Sequence, residues 1–214
     1  YTTGCTTDCP APPPPTPTYC CGGTSTAFTA TQTQTTNLNA FVNRTGADTR
    51  IYVDQIGNNN TIVVNQSGTP NNYAKYTGNG SNNTVSVNQT STSASAINYT
   101  DLVVTGNQNT VAITQQSTSG TKSAFVTVQD NNNTVTLQQK DGGSHYAEVS
   151  LSGGNKNVDI LQQGSANHMA KVGLSGQPTD LSLSQTGSTQ QYYSINFNCA
   201  TAGGCARITV TQGQ

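Results

Sequence analysis

A chain of 214 residues of which 32% are hydrophobic, with no tryptophan and four phenylalanines, carries too little apolar mass for a compact single-core fold of its size. Charged residues make up 8% and the formal net charge is −1, which leaves no electrostatic footprint for nucleic acid or an anionic membrane surface. No stretch approaches the roughly 20 apolar residues of a spanning helix and no basic-plus-apolar leader opens the chain, so we expect no membrane insertion and a mature N-terminus.

Residues 1–23 differ from everything after them. Cys5, Cys9, Cys20 and Cys21 flank Pro10 and the run Pro12 to Pro15, which lacks ladder donors and favours an extended polyproline II segment. No histidine lies near these cysteines, which argues against zinc, and neighbours such as Cys20 and Cys21 are strained when bonded to each other. Pairing with Cys5 and Cys9, within the chain or across to another subunit, is the expectation. Six cysteines in all point to disulfides and an oxidising, extracellular or periplasmic setting. Residues 24–48 hold Leu38, Ala40 and Val42 in alternation, with Val42 one repeat length before Gln66, and read as a degenerate first rung without its glutamine.

From Thr49 onward one phrase returns seven times, two alternating apolar residues followed by a glutamine. The first copy is Ile62, Val64, Gln66 and the last is Ile208, Val210, Gln212; between them the glutamines are Gln89, Gln115, Gln139, Gln162 and Gln185. Subtracting successive glutamine numbers gives steps of 23, 26, 24, 23, 23 and 27. A period in this range built from β-branched residues marks stacked repeats. With Thr49 as position 1, an earlier alternating set falls at positions 3, 5 and 7, as in Ile51, Val53, Gln55, so each repeat holds two strands. The last repeat, with Tyr193, Ile195 and Phe197 ahead of an insertion at 198–206, reads as out of register.

Between the two strands, position 9 is Gly57, Gly80, Gly106, Asp130, Gly153, Gly176 and Gly203, as a corner with positive φ demands. Asn60, Asn83, Asn109 and Asn133 follow at position 12, replaced later by Lys156, Thr179 and Ala206, which suggests a less regular turn toward the C-terminus. Two short strands with one apolar face each bury those faces only by folding together. The expected fold is therefore all-β, a β-solenoid of about seven strand–turn–strand rungs stacked at roughly 4.8 Å, 49–214, with Gln and Asn ladders. A buried primary amide is costly unless hydrogen-bonded, and in-register stacking gives each glutamine a partner above and below. On the outward column at position 4, Lys75 would stand beside Asp101 and Glu148 beside Lys171, pairs of opposite sign.

The stretch from Thr49 to Gln66, with Gln55, Gly57, Asn60 and Gln66 at their spacings, resembles the curlin repeat, Ser-x5-Gln-x-Gly-x2-Asn-x-Ala-x3-Gln, over roughly residues 49–214. Later repeats lack the inner glutamine, position 14 is a larger aliphatic, and the Gly-rich leader of enterobacterial subunits is replaced by the Cys/Pro segment. The resemblance implies an extracellular, self-assembling, amyloid-like fibre subunit of a biofilm matrix, with a nucleator or secretion accessory proteins as further partners.

No constellation for catalysis is present, and no cofactor is expected. The nine carboxylates form no recurring pair, and the calcium-binding solenoid motif is missing. His145 and His168, both at position 1, read as a corner that accepts any polar residue rather than as a metal or pH site. Cys199 and Cys205 read as a local bridge closing the inserted loop, with an intersubunit link as the alternative. The last rung, Ile208 to Gln212, is expected to be uncapped, and an uncapped strand edge can add a second copy head to tail. The expected function is the polymer itself. The alternatives are an ice-binding array, of which Thr134, Thr136, Thr209 and Thr211 are fragments, and a glycan-binding adhesin using Tyr52, Tyr73 and Tyr99.

Overall fold

The computed structural model describes residues 28–33, 39–44, 49–68 and 71–213. Cys5, Cys9, Cys20, Cys21 and Leu38 lie outside the described residues. Alternating sequences form strands that come in pairs: β1 (Phe28–Thr33) with β2 (Asn39–Arg44), β3 (Thr49–Ile56) with β4 (Thr61–Gly68), β5 (Asn72–Asn79) with β6 (Thr84–Ser91). Then come β7 (Ile97–Thr105) with β8 (Thr110–Ser117), β9 (Thr121–Gln129) with β10 (Thr134–Asp141), and β11 (His145–Ser150) with β12 (Asn157–Gln163). The remaining strands are β13 (His168–Lys171), β14 (Ser175–Gly176), β15 (Asp180–Thr186), β16 (Gln191–Ser194), β17 (Asn198–Cys199) and β18 (Ile208–Gly213).

Members of a pair do not bond to each other. Each bonds to its counterparts one repeat away, giving one parallel eight-stranded sheet ordered β1-β3-β5-β7-β9-β11-β13-β16, a second ordered β18-β15-β12-β10-β8-β6-β4-β2, and a short β14-β17 sheet. The protein is a β-solenoid, with Gln and Asn ladders running along it. Register follows the repeat without slip. Val85 pairs with Ile62 and Val111, and Gln89 with Gln66 and Gln115, although the step from Gln89 to Gln115 is longer than the step before it. The extra residues of that step are absorbed by the turn between β6 and β7, because a one-residue slip would turn every core side chain outward.

The core is a thin line between the two sheets. Ile51 and Val53 from one sheet meet Ile62 and Val64 from the other, all at most 2% exposed, and the same set recurs along the rod. Each such side chain contributes about 1.5–3 kcal/mol by burial, so a rung alone is too poor to fold and stability accumulates by stacking.

Three expectations about register are corrected. Val42 pairs with Val64, and Arg44 stands at the register position of Gln66, so the first rung carries an arginine where the others carry the glutamine. The last repeat keeps its register: Tyr193 pairs with Ala170, and Ile195 N–H donates to Lys171 O at 3.1 Å, in step with the rung before. The inserted residues come after Cys199, which pairs with Gly176, so Cys199 and not Gly203 occupies the corner position. Counting back from Ile208 misplaces the corner by the length of the insertion; positive φ there falls at Gly204 (90°).

The other corner glycines are held by contact as well as by conformation. Gly57, Gly80 and Gly106 have φ of 117°, 141° and 123°, and a Cβ at Gly80 would lie 1.9 Å from the Gly106 carbonyl oxygen. Asp130 fits this column because its φ, 67°, has moved into the ordinary left-handed region. Substituting Gly80→Ala is expected to destabilise the protein by roughly 2 kcal/mol or more, measured by denaturant unfolding, since backbone on the next rung cannot move aside alone. An Ala that costs less than Gly→Ala on an exposed strand would show that the stacked corners are loose.

Candidate functional site

The glutamines form one continuous column inside the rod. Gln66 Nε2 donates to Gln89 Oε1 at 2.7 Å, Gln89 to Gln115 at 2.8 Å, Gln115 to Gln139 at 2.9 Å, Gln139 to Gln162 at 2.8 Å, Gln162 to Gln185 at 2.9 Å, and Gln185 to Gln212 at 2.8 Å. The second N–H of each amide crosses to a backbone carbonyl of the facing sheet, as in Gln115 to Tyr99 O (2.8 Å) and Gln162 to Tyr146 O (2.8 Å). Each amide thus ties together two rungs and two sheets. The column is also polar: donors point toward the C-terminal end, and at the other end Gln66 Oε1 is buried without a partner among the described residues. Gln55, the single inner glutamine of 49–214, accepts from Tyr76 Oη and donates to Ile56 O (2.6 Å). It has that partner because Gly78, beside it, leaves the space a Cβ would fill.

Two further columns staple the corners. On one side Asn60, Asn83 and Asn109 are buried and donate through Nδ2 to the corner carbonyls of Gly80 (2.8 Å), Gly106 (2.9 Å) and Asp130 (2.9 Å). Asn133 continues the column, and its Oδ1 accepts from Lys156 N–H at 3.0 Å. Lys156 does not loosen the turn as its sequence suggests: it is 1% exposed and its Nζ donates to Gly176 O at 2.6 Å, the kind of bond Asn109 makes two rungs earlier, while Asn133 between them donates to Gln129 O. A lysine does this work because its longer stem reaches the same carbonyl.

The opposite corner has a column that the sequence reading missed. Position 1 is buried throughout Asn72, Asn98, Lys122, His145 and His168. Asn72 and Asn98 donate to Ser67 O and Thr90 O, His145 Nε2 meets Lys140 O at 2.8 Å, and His168 Nε2 meets Gln163 O at 3.1 Å. Residue type hides this column, since Asn, Lys, His and Gln all serve; parity is the signal, because position 1 is odd like the core positions 3, 5 and 7. The histidines are therefore interior staples rather than occupants of an exposed corner.

Their rings stack in parallel, 5.0 Å between centroids and 4° between planes. A carbonyl only accepts, so each Nε2 carries the proton, and both Nδ1 atoms are buried without a hydrogen-bond partner. Among the described residues no group of three potential metal ligands forms around them or elsewhere. Burial, reinforced by the Lys122 ammonium, lowers the His145 pKa to about 3, and burial lowers that of His168. Between the unfolded value near 6.5 and the depressed folded value, the unfolded chain holds a proton the folded chain refuses, so stability is full above about pH 6.5 and falls as pH drops. The slope is up to about 1.4 kcal/mol per pH unit for each histidine. Replacing both with asparagine, the residue this column uses at Asn72 and Asn98, is expected to flatten thermal stability between about pH 6 and pH 4. An unchanged slope would assign acid sensitivity elsewhere.

On the outer face of the first sheet Lys75 and Asp101 approach to 3.4 Å, and Lys171 and Glu148 to 3.3 Å. These half-exposed pairs are worth about 0–1 kcal/mol and act mainly against register slips. Beside them runs an aromatic row: Tyr73 stacks on Tyr99 at 4.8 Å and 9°, Tyr99 meets Phe125 at 5.3 Å, and Phe125 meets Tyr146 at 5.8 Å. Only the first of these pairs is stacked; the other two are tilted, by 38° and 43°. On the second sheet Thr61, Thr84, Thr110 and Thr134 align in one column, but the next outward column reads Val63, Ser86, Ala112 and Thr136.

The rung at the C-terminal end differs from the rest. Leu181 and Leu183 are each 1% exposed, while Ile208 and Val210, which continue their columns through β18, are only partly buried, as are Tyr193, Ile195 and Phe197. Cys199 and Cys205 are joined by a disulfide. Comparison with family models, with curated proteins and with solved structures finds no match.

Proposed function

We propose that this chain is the repeating subunit of an extracellular curli-like fibre, with copies joined head to tail so that the rod itself is the function, as scaffold and adhesive matrix. The observation that carries the reading is the end rung. Its apolar residues stand in the core columns yet remain half-exposed, and β16 and β18 each have a sheet neighbour on one side alone among the described residues. A second copy arriving in the same register would set β1 over β16 and β2 over β18, completing both.

The glutamine ladder would not pass through that joint unbroken. Arg44 holds the register position that would face Gln212, and arginine has no acceptor for the Gln212 N–H. Apolar columns and backbone hydrogen bonds therefore supply the joint, with the glutamine ladder confined to the interior of each copy. A disulfide fits an oxidising, extracellular compartment. The glycan-binding alternative has less support, because Tyr73 and Tyr99 stack on each other at 4.8 Å, so each gives one ring face to the other rather than to a sugar. The ice-binding alternative has one threonine column where a two-column lattice is required.

Electron microscopy and fibre diffraction on concentrated, non-reduced protein test the proposal. Filaments with a meridional reflection near roughly 4.8 Å are expected. Monodisperse short rods at every concentration would remove it.

A further inference from the structure

The staples that hold the first corner run out at the last rung. Asn60, Asn83, Asn109 and Lys156 each hold a corner carbonyl of the following rung, Thr179 keeps a hydroxyl contact to Gln177 O at 3.3 Å, and Ala206 has no side-chain donor at all. At this corner β17 places Cys199 in the column of Gly176, 2% exposed, and the step from Gln185 to Gln212 is longer than any other between the glutamines of the ladder. The longer corner is closed by the bond to Cys205, whose N–H donates to Pro178 O at 3.0 Å on the rung below. A rung with one neighbour has half the usual inter-rung bonds, so its order depends more on the corner that joins its strands. The covalent closure therefore sits where the hydrogen-bonded closure has ended, in the rung whose apolar residues are left partly uncovered.

We propose that the Cys199–Cys205 disulfide is a redox gate on the docking end. Oxidised, it pins β17 against β18 so that the end rung matches the next copy; reduced, the corner opens and addition stops. This rests on the fibre reading above. The reaction is ordinary thiol exchange: a thiolate attacks Sγ of Cys205, the more exposed of the two residues, and Cys199 leaves as a thiolate and takes a proton. A second thiol then displaces Cys205, giving two protein thiols and one small-molecule disulfide.

Seeded elongation of the full chain is the test. The double substitution Cys199→Ala with Cys205→Ala, which leaves the four N-terminal cysteines in place, is expected to slow elongation roughly tenfold or more by freeing the loop. Deleting residues 200–203 from that variant makes the last step equal to the one from Gln162 to Gln185 and should restore the wild-type rate. Circular dichroism reports whether each variant folds. If the double variant does not fold, dithiothreitol decides: wild type slows while the shortened-loop variant does not. Wild-type elongation by the double variant, or no recovery on shortening the loop, would overturn the gate and leave the fibre reading intact. Absence of filaments from the oxidised wild type would overturn both.

Discussion

Replacing Gln115 with leucine is expected to lower the free energy of unfolding by about 3–6 kcal/mol, among the largest losses any single side chain here can cause. Gln115 accepts from Gln89 Nε2 at 2.8 Å and from Thr100 Oγ1 at 3.0 Å, and donates to Gln139 Oε1 and Tyr99 O. Leucine fills a similar volume and gains some apolar burial. It leaves up to four buried polar groups without partners, each costing about 1–3 kcal/mol. The neighbouring Gln138 points outward and is half-exposed, so Gln138→Ala should change stability by no more than about 0.5 kcal/mol. Chemical denaturation of the two variants side by side decides the matter. Equal losses would mean that the column is incidental to stability. Gln212→Leu should cost less than Gln115→Leu, because Gln212 receives from Gln185 and has no glutamine beyond it among the described residues.

Substituting Val210→Asp is expected to stop elongation while sparing the monomer. Val210 is half-exposed in the free rod, so a carboxylate there still meets water. In a joint it would be covered by the next copy, and an unpaired buried charge costs about 3–5 kcal/mol, which is roughly a hundredfold or more in the rate of productive addition. Val87→Asp, at the same repeat position but 1% exposed in the middle of the rod, should instead prevent folding. Seeded growth followed by light scattering, with circular dichroism on the monomer, separates the two effects. Wild-type growth by Val210→Asp would place the joint elsewhere on the molecule.

The two variants at position 16, Val87 and Val210, show how position along the rod changes the meaning of one residue type. The repeat assigns both to the core, and the core columns do contain both. Only the stack of rungs makes one of them inaccessible and leaves the other at an edge.

Sequence by itself determined the repeat, the two strands per rung, the inward facing of positions 3, 5 and 7 and of positions 14, 16 and 18, the glutamine column and the opposite-charge neighbours Lys75 with Asp101 and Glu148 with Lys171. These follow from period two along a strand and a near-constant step between strands, both local and countable. The tertiary structure decided the rest. It placed Arg44 opposite Gln66, kept Tyr193 in register, moved the last corner to Cys199 and put Lys122, His145 and His168 inside. In each case the deciding quantity is which backbone carbonyl lies beside a side chain one rung away. Insertions of a few residues shift that count, and at position 1 asparagine and histidine bind the same carbonyl while Lys122 reaches others, so neither spacing nor residue type records it.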